Sequence, residues 1–206
     1  MTRTFERRAF DLSGIQIRAA DDDAGKLHFT GRAIVYGSTS VDFGGWSEII
    51  EPGAGSRTLA ANPDVRFLIN HDANLLLART VSSTLGLTED ADGVLVDAQM
   101  ANVSYARDLA ELLERGDLTQ MSFGFWIVRD EWSANLHIVQ EFDLDGGDVS
   151  AVTFPAYTQT SAGLRSNSEV SPELRSIAQT HILQPNDDYA QRARRRQQIL
   201  DFQSQL

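Results

Sequence analysis

Residues 116–132 read GDLTQMSFGFWIVRDEW, and the alternation at the centre of this stretch decides the fold. Met121, Phe123, Phe125 and Ile127 recur at every second position. That is the period of a strand, and it turns one apolar face toward a core. Ser122 and Gly124 point the other way, and both are small. Threonine would make a better strand and valine a better core, so the serine asks for a reason. The plain reason is a solvent-facing serine beside a glycine at a bulge. The sharper one is that a small face lets a substrate approach a nucleophile.

Outward from this strand, most of the chain has the same character. Strand-like runs are LHFTGRAIVYG (27–37), VRFLINH (65–71), SSTLGLTED (82–90), GVLVDAQM (93–100), LHIVQEFDL (136–144) and DVSAVTF (148–154). Turn formers separate them, and EDADG (89–93) predicts a tight hairpin. One helix is predicted over Ser104–Arg115, from Tyr105, Leu109, Leu112 and Leu113 at helical spacing, a Ser104 cap and Gly116 past the end. Many strands and few helices imply a mainly β, α+β protein: a closed or nearly closed β structure with helices packed outside.

The expected organisation has three parts. Residues 1–23 are charge-rich and read as weakly ordered, residues 24–166 form the body, and residues 167–206 form a linker and helical tail. The tail predicts two helices, SPELRSIAQTHIL and DDYAQRARRRQQILDFQ, broken at Gln184-Pro185. Its apolar residues are too few for a core of its own, so it reads as detachable.

Composition narrows the function. The net charge of −11 sits in the body: residues 1–165 hold 13 basic and 24 acidic side chains, against five of each in 166–206. An acidic body repels phosphate backbones, which argues against nucleic acid as the main partner. No apolar run approaches the ~18–20 residues of a membrane span, and no export signal opens the chain. The absence of cysteine excludes disulfides, thiolate metal sites and a cysteine nucleophile, and it fits a cytoplasmic setting. No phosphate loop, zinc-protease helix or nucleophile elbow occurs.

A serine nucleophile needs a base. Of four histidines, His71 stands out, because it ends a strand of buried character in Asn70-His71-Asp72, where a scaffold presents a side chain to a cleft. A surface histidine at a capped strand end is the plain alternative. His28 and His181 read as solvent contacts, and His137, between apolar neighbours, as structural or surface. For the group that orients the imidazole, EFDLDGGDVSAVTF offers Glu141, Asp143, Asp145 and Asp148. Asp148 opens a strand and is fixed by the sheet, whereas the others form an acidic turn. DLDGGD lacks the ligand series of a calcium loop, so neither a metal nor a cofactor is expected.

These stretches resemble the prohead proteases of HK97-type tailed bacteriophages. The resemblance rests on GRAIVYGSTS, GGWSEIIEPGA, VRFLINHD with LLLARTVSSTLGLTEDADGVLVDAQM, YARDLAELLERGDLTQMSFGFWIVRDEW and DVSAVTFPAYTQTSAGLRS, in that order over about residues 28–166. It implies a serine endopeptidase with a fold similar to herpesvirus assemblins, a closed β-barrel wrapped by helices. It also implies action inside the assembling procapsid, in the host cytoplasm, on the scaffold or the scaffolding segment of the major capsid protein, and on itself. By position, the resemblance assigns His71 as base, Ser122 as nucleophile and Asp148 as the acidic third member. Assemblins use a second histidine there, which keeps His137 a candidate, and they dimerise to activate, so a homo-oligomer is a further expectation. Arg79 in LLARTVSS is a candidate oxyanion contact against a plain surface ion pair. Gly124 is a candidate for close substrate approach against a bulge. A non-catalytic β-barrel module binding capsid or scaffold protein would keep the barrel without needing Ser122 or His71. A metal-dependent hydrolase would instead be sensitive to chelators. The neutral tail on an acidic body suggests a targeting element that is later cut away.

Overall fold

Two long strands organise the protein, β9 (Gln120–Ser133) and β10 (Leu136–Val152), which pair antiparallel along nearly their whole length. The computed structural model describes residues 4–11, 16–19, 27–40, 42–153 and 170–182. On the far side of β9 lies β1 (Phe5–Asp11). On the far side of β10, β4 (Ser47–Ile50) pairs parallel with its first half and β5 (Arg66–Ile69) with its last. The two-residue β6 (Ala78–Arg79) completes this sheet beside β5. The second sheet has the order β2-β3-β8-β7, from β2 (Gln16–Ala19), β3 (Leu27–Val35), β7 (Leu85–Asp90) and β8 (Gly93–Met100).

The mainly β character with few helices is as the sequence predicts. The closed barrel is not: the described strands make two sheets whose edges do not pair with one another. Strand count alone does not force closure, because two sheets can bury their apolar faces against each other. Here Phe29, Val94, Val96 and Ala98 from the second sheet join Phe67, Met121, Phe123, Phe125 and Phe142 from the first in one core. The alternation read in residues 121–125 holds, since Met121, Phe123 and Phe125 are fully buried in that core. The hairpin at 89–93 also forms, with Asp90 opposite Gly93 and the Asp90 carboxylate accepting from the Asp92 and Gly93 N–H groups.

The predicted central helix is α2 (Ser104–Glu114), with Gly116 at φ +75° just past its end. Its buried face is Ala106, Leu109, Ala110 and Leu113, whereas Leu112 is exposed. Ser104 lies inside the helix, and the capping position belongs to Val103 without a side-chain bond.

Two expectations about the ends of the chain need correction. The segment 1–23, read as weakly ordered, contributes β1 and β2. The charges of FERRAF are absorbed by tertiary partners: Arg8 is buried, donates through Nε and Nη2 to both Glu48 oxygens and through Nη1 to Glu6. The tail, read as detachable, includes α3 (Pro172–Ile182). Val170, Leu174 and Ala178 are buried against Phe43 and Trp46 of the body. Three apolar residues suffice because the body supplies the other half of the cluster. The predicted second tail helix lies outside the described residues.

The Arg8–Glu48 pair continues to His137, whose Nδ1 meets Glu48 Oε2 and whose Nε2 meets Asp130 Oδ2, both at 2.8 Å. Burial pushes the Glu48 carboxyl up, but Arg8 and His137 more than offset it and hold it at about 2. Because that value is depressed below the ordinary 4.5, the stability it contributes is present above 4.5 and lost as pH falls toward 2. Burial pushes His137 down, and Asp130 and Glu48 together raise it above its ordinary value. Its contribution is therefore present below about pH 6.5 and lost as pH rises through the raised value. Glu48→Gln is expected to cost ~1.5–3 kcal/mol, because it removes the bidentate charged partner of the buried Arg8 guanidinium, which keeps Glu6 through Nη1. Thermal unfolding at pH 7 and pH 3 checks this: the wild-type protein should lose stability in acid, and the variant much less.

Candidate active site

The small face of β9 is completed by its neighbours. Ser122 pairs across with Ala9 on β1 and Ser150 on β10, and Gly124 with Arg7 and Asp148, so these side chains share one face of the sheet. Ser122 is nearly buried, at 2% exposure, beneath what the second half of β10 and the end of β5 bring over it.

His71 comes from the turn after β5. Asn70 and His71 have φ of 51° and 58°, the left-handed region that non-glycine residues rarely enter. The turn is held there by Asn70 N–H to Ala151 O at 2.9 Å, Asp72 N–H to Ile69 O at 2.9 Å, and the Asn70 amide against Thr153. Such strain persists only where surrounding bonds over-determine it, and it often marks a functional position. Here it aims the imidazole back over the sheet: Nε2 lies 2.7 Å from Ser122 Oγ and Nδ1 lies 2.6 Å from Asp148 Oδ2.

Asp148 reaches this position through an interruption in the β9–β10 ladder. Between Asp143, opposite Trp126, and Asp148, opposite Gly124, β10 carries extra residues in a bulge. Gly147 is required there, since a Cβ would fall 2.2 Å from Gly124 O. The acidic residues of the turn tie it down: Asp143 accepts from Thr58 Oγ1 and Asp145 from Asp64 N–H. Among the described residues, no group of three or more His, Asp and Glu side chains is placed to hold a metal ion.

Ser150 is a site residue that the sequence reading missed. Its hydroxyl donates to Asp148 Oδ2 at 2.6 Å and accepts from His71 N–H at 3.2 Å, so it fixes both the carboxylate and the turn bearing the imidazole. The signal was present, since Ser150 stands two residues from Asp148 on a strand and so shares its face.

His137 is not part of the site, because both its ring nitrogens are taken by Glu48 and Asp130. Arg79 is a surface ion pair, its guanidinium held by Asp64 at 2.6 and 2.7 Å. Gly124 stands opposite the end of the β10 bulge and makes room for protein: a Cβ there would lie 2.7 Å from Phe5 Cζ and 2.9 Å from Asp148 Oδ1. Gly124→Ala is therefore expected to displace the carboxylate and lower turnover by ~10–100-fold in kcat. Steady-state kinetics on the folded variant would check it.

A hydroxyl, an imidazole and a carboxylate hydrogen-bonded in a row on a rigid sheet have the geometry of a serine hydrolase site. The model of the Caudovirus prohead serine proteases matches residues 13–173. The chain belongs to that family, and the family's activity makes it a serine protease of prohead maturation. No curated protein matches the chain. Among solved structures, the bacteriophage T4 capsid assembly protease, gp21, is similar with a TM-score of 0.50 and 10% identity, covering 72% of this chain and 98% of that one. At that identity the likeness shows the fold alone. No helix among the described residues is long and apolar enough to cross a membrane.

Proposed function

We propose that Ser122 is the nucleophile of this protease, His71 its general base and acid, and Asp148 the group that orients and charge-balances the imidazole. The observation that carries this reading is the unbroken row from Ser122 Oγ through both ring nitrogens of His71 to Asp148 Oδ2. Ser122 Oγ attacks the scissile carbonyl as Nε2 takes its proton, and the same nitrogen then protonates the leaving amine. Water repeats the sequence on the acyl-enzyme. Asp148 accepts from His71 Nδ1 and from Ser150, and so selects the tautomer whose Nε2 is free to act as base.

The substrates in this reading are the scaffold protein or the scaffolding segment of the major capsid protein, cut inside the assembling procapsid in the host cytoplasm, together with the protease itself. Membership of the prohead serine protease family supports it. The protease unit includes residues 24–166 and also β1 and α3, which wall the site. A homo-oligomer belongs to the same proposal. Co-expression of the cognate capsid protein with the wild-type chain, followed by intact-mass spectrometry, tests it. Trimming with the wild type and none with Ser122→Ala is expected, whereas trimming with both would remove Ser122 from the mechanism.

A further inference from the structure

His71 lines a cavity of about 710 Å³ that runs across β1 to the first turn of α3. Its apolar walls include Phe5, Val152, Val170 and Pro172, and it is also lined by Arg7 and Arg175. Arg7 stands on the site face of the sheet, opposite Gly124 and two residues from Ala9, the cross-strand partner of Ser122. Its guanidinium lies over the Phe5 ring at 5.9 Å. Neither Arg7 nor Arg175 has a carboxylate partner among the described residues, and Arg175 Nε is buried without any hydrogen-bond partner.

Arg8, Arg32, Arg57, Arg66, Arg79 and Arg115 sit on carboxylates, whereas Arg7, like Arg18, Arg107 and Arg129, is exposed; Arg175 is half-buried and stands apart from both groups. A buried guanidinium nitrogen left without an acceptor is costly unless something else supplies one. Glu6 also borders the cavity but does not serve Arg7 or Arg175. Its Oε2 takes Arg8 Nη1 and the Ser171 N–H, while its Oε1 is buried and unpartnered. The Glu6 charge is met by Arg8, which is shared with Glu48, itself met by His137. The two unpaired cations therefore dominate the cavity beside the imidazole. An acidic side chain with an aliphatic stem matches such a space, with its methylenes against the apolar wall and its oxygens on the arginines.

We propose that this cavity is a substrate subsite for a glutamate or aspartate flanking the scissile bond, with Arg7 and Arg175 as its specificity-determining residues. The proposal rests on the reading of Ser122, His71 and Asp148 given above. Arg175 lies two residues beyond the segment that matches the family, which ends at residue 173.

The test is cleavage-site profiling of the full-length protein on a randomised synthetic decapeptide library, read by mass spectrometry. The wild type is expected to favour Glu or Asp over Gln or Asn on the order of tenfold or more at one fixed position. Arg7→Gln/Arg175→Gln should bring that ratio near parity, and Arg175→Glu should shift the same position toward Lys and Arg. A wild type without acidic preference, or a preference that survives in the double variant, overturns the proposal. A merely structural role for the arginines would change overall rate without changing position-specific choice. Failure of the underlying reading has a separate signature: a fluorophosphonate would no longer label Ser122, which a wrong subsite leaves intact.

Discussion

Ser122→Ala is expected to lower peptide hydrolysis by roughly 10⁵–10⁶-fold, with the fold and the cavity beside it retained. The effect is large because no neighbour can substitute. Ser150, the other hydroxyl on this face, is already committed as donor to Asp148 and acceptor from the His71 N–H. The cost to folding is small by comparison, since alanine suits a position packed on one side by Ala9 across the ladder. Rates measured on the same peptide for both proteins, with circular dichroism to confirm the fold, check the expectation. A fall of less than about 100-fold would mean that another nucleophile acts.

Asp148→Asn is expected to cost on the order of 10⁴-fold in kcat with little change in KM. The substitution keeps the shape but turns an acceptor into a group that can donate toward Nδ1. His71 would then carry its proton on Nε2, the nitrogen 2.7 Å from Ser122 Oγ, and lose its power as a base. The local bonds should survive in altered polarity, because the Ser150 hydroxyl, which shares Asp148 Oδ2 with His71 Nδ1, can accept from the amide NH2 where it donated to the carboxylate. Asp148→Ala separates the two roles, since it also removes the support that fixes the His71 turn. A pH–rate profile in which the Asp148→Asn variant recovers activity at high pH would be the mark of the wrong tautomer rather than of a collapsed site.

How much of this was legible in the sequence depended on where each signal is satisfied. The β9 alternation, the α2 spacing and the Asp90–Gly93 hairpin are local patterns with local causes, and they hold. β1 was illegible because its buried charge is met by Glu48, 40 residues along the chain from Arg8. The two runs flanking Asp145-Gly146-Gly147 were read separately and are one strand, because a bulge rather than a turn absorbs the glycines. Closure into a barrel is a property of sheet edges, which the period of a strand does not report. α3 has too little apolar surface to predict docking, and it is Phe43 and Trp46, with Ile127 and Trp132 packed against the cluster, that make it worth burying.

The site followed the same rule. His71, Ser122 and Asp148 stand within hydrogen-bond reach of one another, from the turn after β5, a face of β9 and the second half of β10. Ser150 was passed over because a serine between valine and alanine looks idle until its cross-strand neighbour is known to be Ser122. His137 looked available because sequence does not reveal that two carboxylates already hold it.

The most direct test of the relay is to treat the purified protein with a fluorophosphonate and locate the adduct by peptide mass spectrometry. The account predicts a single adduct on Ser122, abolished by Ser122→Ala, strongly slowed by His71→Ala and indifferent to chelators. An adduct on another serine, or equal labelling of Ser122 after His71 is removed, would contradict it.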